Sequence, residues 1–113
     1  MAKYLLIYRS LPDPAQDTPS PEQLQAIMAE WGAWFQKVGA AVVDGGDGLM
    51  PTGKMVHPNG TVTDGPFMES KELVGGYSIL QADSYDQAAE LAKSCPICKN
   101  GGTIEIRELA GFG

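Results

Sequence analysis

KMVHPNGTVTDG, residues 54–65, is the stretch on which the fold turns. Asn59-Gly60 accepts the positive φ angles of a type I′ turn, and the short runs KMVHP and TVTDG flank it, so the segment reads as a tight β-hairpin. On its N-terminal side, residues 3–9 (KYLLIYR) form a strand with apolar residues on both faces, the pattern of an interior strand. A loop rich in Pro and Asp follows at 10–19, and a helix begins at Ser20. Ser20 is the cap, Pro21 suits the first helical position, and Gln23 completes a capping box. Leu24, Ile27, Met28, Trp31, Phe35 and Val38 make one apolar stripe at helical spacing, and Gly39 sits where a helix commonly ends. AAVVD at 40–44 starts the next strand, which runs out in GGDGL.

The C-terminal side repeats this plan. GGYSILQA, residues 75–82, is another strand that is apolar on both faces. Ser84 caps a helix, with Gln87 at the capping-box position. That helix carries Ala88, Ala89, Leu91 and Ala92 and stops near Pro96. TIEIREL then alternates Ile104 and Ile106 with polar residues, as a strand with one wet face does. The order is β-α-β, hairpin, β-α-β: an α+β chain on the ferredoxin-like split β-α-β plan with an added hairpin. Two helices cover one face of such a sheet. Leu5 and Ile7 lie on the side opposite Tyr4, Leu6 and Tyr8, so a second apolar face needs a cover. A second copy of the sheet is the economical one, which predicts a homodimer packed sheet to sheet, with a small-molecule pocket in or beside the shared barrel.

Composition narrows the function classes. The 113 residues, 43% of them hydrophobic, suit a single domain spanning 1–113. A net charge of −6 without a Lys/Arg cluster repels phosphate backbones, which sets nucleic acid aside. No apolar run approaches the roughly 20 residues that cross a bilayer. The apolar stretch after Lys3 is too short for a signal-peptide core, so a cytoplasmic location with no membrane partner is expected. Cys95 and Cys98 form a lone C-x-x-C near the expected end of a helix, where the dipole disfavours thiolate; the pair reads as two small, partly buried side chains rather than a redox couple or half of a zinc site. The three glycines around Asp47 lack the Lys and the following helix of a phosphate loop, and read as a turn or bulge. Trp31 and Trp34 invite comparison with a stacking platform, but their place on or beside the stripe favours packing. The only His and scattered carboxylates give no metal-ligand spacing, no nucleophile-base signature is present, and no cofactor is expected.

VTDGPFMESKELVGGYSI, together with GTIEIRE near the end, resembles the DGPF-type branch of the YCII-related proteins, and the likeness extends over essentially the whole chain. The resemblance implies a dimeric α/β barrel of ferredoxin-like subunits. It implies little about activity, since most members of that branch have none established. Some are encoded beside sigma factors of the extracytoplasmic-function type. In other YCII-related proteins a His-Asp pair on the first helical segment is the proposed catalytic dyad. PEQLQAIMAEWGAWFQKVG contains neither residue, so that pair does not carry over.

The hairpin offers another pair. A two-residue turn at Asn59-Gly60 sets His57 opposite Val62 and Met55 opposite Asp64. His57 and Asp64 then become diagonal neighbours about 7–8 Å apart on one face. An Asp that orients one imidazole nitrogen leaves the other for acid-base work, which makes His57 and Asp64 the catalytic candidates. The competing reading is an exposed histidine, with Asp64 bonding backbone amides of the turn. Gly65 and Pro66 turn the chain and aim Phe67 at the core or a partner. Glu69, Lys71 and Glu72 follow as a charged run bordering the dimer interface or the pocket. Tyr8, Arg9 and Tyr77 can add hydroxyl or cationic contacts. Two functions fit: a cofactor-free isomerase- or lyase-like enzyme of small molecules, or a non-enzymatic ligand-binding or regulatory protein, serving such a sigma factor.

Overall fold

A computed structural model describes residues 1–10, 20–50, 52–65 and 73–112. The elements run β1 (Ala2–Ser10), α1 (Pro21–Val38), a 3-10 turn (Gly39–Ala41), β2 (Val42–Gly48), β3 (Gly53–Val56), β4 (Val62–Gly65), β5 (Leu73–Ala82), α2 (Tyr85–Ala92), α3 (Pro96–Lys99) and β6 (Thr103–Glu108). Four strands form an antiparallel sheet in the order β2-β5-β1-β6, and β3 and β4 pair apart from it. The two central strands, β5 and β1, are those the sequence marks as apolar on both faces. The arrangement is α+β and follows the ferredoxin-like plan.

Both long helices start where local chemistry dictates. The Gln23 amide donates to Ser20 Oγ at 3.1 Å, and the Ser20 amide donates back to Gln23 Oε1 at 2.9 Å, closing the capping box. At α2 the Gln87 amide donates to Ser84 Oγ, while the Gln87 side chain reaches one residue further back, to the Asp83 amide. The second strand starts later than AAVVD indicated, because Gly39–Ala41 continue as a 3-10 turn after α1.

The core lies between the helices and one sheet face. Tyr4, Leu6 and Tyr8 of β1 and Leu80 and Ala82 of β5 pack there against Trp34, Val38, Ala88, Ala92 and Cys95. Trp34 belongs to this core more than Trp31 does: it is 3% exposed, and its indole donates to the Leu91 carbonyl at 3.0 Å, tying α1 to the end of α2. A buried indole N–H needs such an acceptor. Leu24, Ile27 and Met28, at the start of the expected stripe, stay exposed, so only the second half of α1 packs on the described sheet.

The hairpin differs from the expected one by a residue. Gly53 pairs with Gly65, Lys54 with Asp64, Met55 with Thr63 and Val56 with Val62. The Gly60 amide donates to the His57 carbonyl and the His57 amide to the Thr61 carbonyl, both at 2.8 Å, so three residues rather than two form the loop. A type I′ turn would need positive φ at both Asn59 and Gly60, yet only Gly60 has it, at +85°. Pro58 is the reason. Its fixed φ suits the second position of a type I turn, which starts the turn one residue early and leaves Gly60 as the single left-handed residue.

Candidate functional site

Glycines build the site. Across β2 and β5 the register jumps: Asp44 pairs with Ile79, but Asp47 pairs with Tyr77, leaving two residues in β2 against one in β5. This bulge turns on Gly46, whose φ is +71° and whose missing Cβ would stand 1.7 Å from the Tyr77 carbonyl oxygen. No other residue type fits there. On the facing strand a Cβ at Gly76 would lie 2.9 Å from the Asp47 carbonyl oxygen. A second irregularity falls between Tyr8 and Arg9 in the pairing of β1 with β5, beside Gly75. With four glycines at 45, 46, 48 and 75 and a fifth at 76, this end of the sheet carries almost no side chains on two of its strands, and a cleft of about 430 Å³ opens there.

The cleft walls are aromatic. Tyr8 rises from β1, and Trp31 and Phe35 descend from α1 one turn apart. The Tyr8 and Trp31 ring centroids are 5.2 Å apart in an edge-to-face arrangement, and Trp31 and Phe35 are 5.9 Å apart. Ile97 of α3 and Ser10 at the end of β1 also line the cleft. The Tyr8 hydroxyl donates to Ser78 Oγ at 2.6 Å, and Ser78 donates to the Gly45 carbonyl at 2.7 Å. Burial pushes the Tyr8 phenol well above its ordinary value, against a smaller opposing effect of the Ser78 hydrogen bond. Tyr8 is therefore a neutral donor at physiological pH. Ser78 is bonded to a backbone carbonyl, not to a base, so the pair is no activated nucleophile. Asp47 Oδ1 accepts from the Gly48 amide at 2.7 Å. Asp47 is the one charged residue among the described lining, but it pairs with Tyr77, which pairs with Ile7, so its side chain belongs to the sheet face opposite Tyr8; no Lys, Arg or His is among the described lining residues.

The sequence candidates distribute unevenly. Tyr8 and Tyr77 both line the cleft. Arg9 does not: alternation along β1 puts it on the other sheet face, where its Nη2 lies 2.9 Å from Glu105 Oε1, and Arg107 Nη1 lies 3.3 Å from Glu105 Oε2. His57 and Asp64 are not brought together. The longer turn puts them on opposite faces of the hairpin: His57 Nε2 lies 2.9 Å from Thr63 Oγ1, and Asp64 pairs with Lys54. One residue of register makes that difference. Gly65 ends β4, packed close against the Met55 side chain. Pro66, Phe67, Glu69, Lys71 and Glu72 lie outside the described residues.

Trp31 and Phe35, which the helical stripe assigns to core packing, wall the cleft, Ile97 joins them without a signal in the sequence, and Ser78 lies buried beneath as the partner of Tyr8. A usable signal was present: two glycine-rich strand segments, GGDG and GGY, in a chain whose helix carries two aromatic residues four apart.

The C-x-x-C also sits differently from expectation. Cys95 caps the short helix α3 at its start, instead of trailing α2. Cys95 is buried, and burial pushes its thiol up to about 11, while Cys98 is exposed. A thiol held protonated in this way is unreactive. Among the described residues no group of His, Cys, Asp and Glu could hold a metal ion, and no helix is long and apolar enough to cross a membrane. Residues 2–112 match the family model of the YCII-related domain. None of the curated proteins compared with the chain matches it.

Proposed function

Since the chain belongs to the YCII-related domain family, matched over residues 2–112, we propose that it binds a small molecule in the cleft between α1 and the β2–β5 bulge. The observation that carries this reading is the glycine-built cleft itself: about 430 Å³ walled by Tyr8, Trp31 and Phe35, a size and lining suited to a small organic ligand. Ligand binding is favoured over isomerase- or lyase-like catalysis because Tyr8 is held neutral and Ser78 has a carbonyl as its acceptor, so the described walls supply contacts rather than an activated base. No cofactor enters the reading.

Ligand-observed NMR with a library of small aromatic and alkyl fragments tests it. Fragments should bind the wild type and lose binding in Trp31→Ala, with the fold intact by circular dichroism. An absence of hits, or hits indifferent to Trp31→Ala, would rule the cleft out.

The same reading makes the working unit a homodimer, paired sheet to sheet as a barrel. Leu5, Ile7 and Ile79 share the sheet face opposite the helices and remain half-exposed in the single chain. A second copy covers this face at the usual ~10 Å spacing of stacked sheets. Sedimentation equilibrium should return twice the 12.0 kDa chain mass. Ile7→Asp should return the monomer, and a wild-type protein already monomeric at micromolar concentration would refute the pairing.

A further inference from the structure

We propose that the open face of the sheet meets a second copy of this chain in one orientation, with the β2 edge of each protomer over the β6 edge of its partner, drawn there by opposite charge. The proposal rests on the homodimer reading and adds which edges meet and which side chains bridge them.

The strand register divides that face by charge. Tyr4, Leu6 and Tyr8 of β1 point to the core, so Lys3, Leu5, Ile7 and Arg9 point away from it. Leu5 pairs with Ile79 on one side and Arg107 on the other, and Ile79 pairs with Asp44. One row further along, Ile7 pairs with Tyr77 and Glu105, and Tyr77 pairs with Asp47. Each row thus starts at a carboxylate on β2 and crosses apolar or aromatic side chains to a charged one on β6. The β2 edge carries the two carboxylates Asp44 and Asp47. The β1–β6 half carries three cations, Lys3, Arg9 and Arg107, against the single carboxylate of Glu105.

These charges are not neutralised within the subunit. Asp44 Oδ1 accepts from the Gly46 amide and Asp47 Oδ1 from the Gly48 amide, but among the described residues no cation pairs with either aspartate. At the other edge Arg9 and Arg107 share Glu105, at 2.9 and 3.3 Å, which leaves one positive charge over. Lys3 adds another, with no ion-pair partner among the described residues.

Leu5, Ile7 and Ile79 lie between the two edges and supply the apolar area that draws two sheets together, while charges at the rim choose the orientation. Two kinds of two-fold axis can stack such sheets with their strands aligned. An axis parallel to the strands lays β2 over the partner's β6, so each acidic edge meets a cationic one. An axis across the strands lays β2 over β2 and β6 over β6, so like charges meet at both edges. Like-charge juxtaposition suppresses the second arrangement.

Charge exchange tests the orientation, read by sedimentation with one partner of each mixture fluorescently labelled and with the fold checked by circular dichroism. Asp44→Lys/Asp47→Lys and Arg107→Glu should each raise the dimer dissociation constant about tenfold or more. An equimolar mixture of the two should form a heterodimer nearly as tight as the wild-type dimer, because both edges then meet opposite charge again. Asp44→Asn/Asp47→Asn keeps the oxygens that accept from Gly46 and Gly48 and so leaves the bulge intact. It should weaken the dimer several-fold, even though it reduces the net charge of −6 that makes two chains repel. A dimer tightened by Asp44→Asn/Asp47→Asn would overturn the orientation while the homodimer stood. So would an Asp44→Lys/Asp47→Lys chain that prefers wild type to Arg107→Glu as its partner, or dissociation constants unchanged in every variant. A wild-type chain that is monomeric at micromolar concentration would remove both readings.

Discussion

The hydroxyl of Tyr8 donates to Ser78 across 2.6 Å, with both residues buried, and Ser78 passes a hydrogen bond on to the carbonyl of Gly45 in the bulge. Three strands, β1, β5 and β2, are thereby linked through one side-chain chain beneath the cleft. Every member is satisfied, which is the condition under which buried polar groups stabilise rather than weaken a core. Ser78→Ala strands both the Tyr8 donor and the Gly45 acceptor and should cost about 1–3 kcal/mol, whereas Tyr8→Phe leaves Ser78 bonded to Gly45 and should cost about 0.5–1.5 kcal/mol. Urea midpoints at constant slope compare them; a Ser78→Ala protein as stable as Tyr8→Phe would show that the relay is not structural.

Gly46 and Gly60 both have positive φ, at +71° and +85°, but only Gly46 faces a carbonyl oxygen where a Cβ would stand. Gly60→Ala should cost no more than about 1–2 kcal/mol, the price of left-handed backbone alone. Gly46→Ala must also displace β5, and should cost several times more or leave the chain unfolded. Near-equal losses in denaturant unfolding would mean that the bulge relaxes freely.

The two cysteines should separate by reactivity. Iodoacetamide at neutral pH should modify the exposed Cys98 in the native protein and reach Cys95 only after denaturation, as peptide mass mapping would show. The Cys95 thiol is raised from 9.0 to about 11, chiefly by burial. A group whose pKa is raised on folding contributes stability that is whole below its unfolded value. That contribution disappears as the pH climbs from about 9 to 11. Wild type should lose stability across this window, and Cys95→Ala should have a flatter alkaline limb.

Glu105 has the opposite sign. Hydrogen bonds from Arg9 and then Arg107 hold its carboxyl below the usual carboxylate range. Its contribution is present above the ordinary Glu value and is lost as the pH falls through the lowered one. The effect is small at so exposed a site and should weaken with salt. Glu105→Gln should flatten the acid limb of a stability-against-pH profile at low ionic strength; an unchanged acid limb would show that the Arg9–Glu105 pair contributes nothing.

Local chemistry made most of the elements legible. Ser20-Pro21 with Gln23, and Ser84 with Gln87, specify helix starts within a few residues of chain, and the doubly apolar β1 and β5 announce the two central strands. Two features resisted for definable reasons. At 57–60 two turn signals compete, Pro58 for a type I turn and Asn59-Gly60 for a type I′ turn, and the proline wins because its ring fixes φ. On α1, Trp31 and Trp34 lie close together around the helix axis, so periodicity could not say which would enter the core and which would wall a cleft; contact with α2 and the Leu91 carbonyl settles it.

The order of strands and helices, the family and the ferredoxin-like plan follow from the sequence by itself, because capping, alternation and turn chemistry act over a few neighbouring residues. The cleft is a product of tertiary structure. It needs Tyr8, Trp31 and Phe35 to meet at a bulge in which Gly46 passes the Tyr77 carbonyl too closely for any side chain. That register across β2 and β5 is set by packing between segments some thirty residues apart, whereas His57 and Asp64 are separated locally, by a turn that Pro58 shifted by one residue.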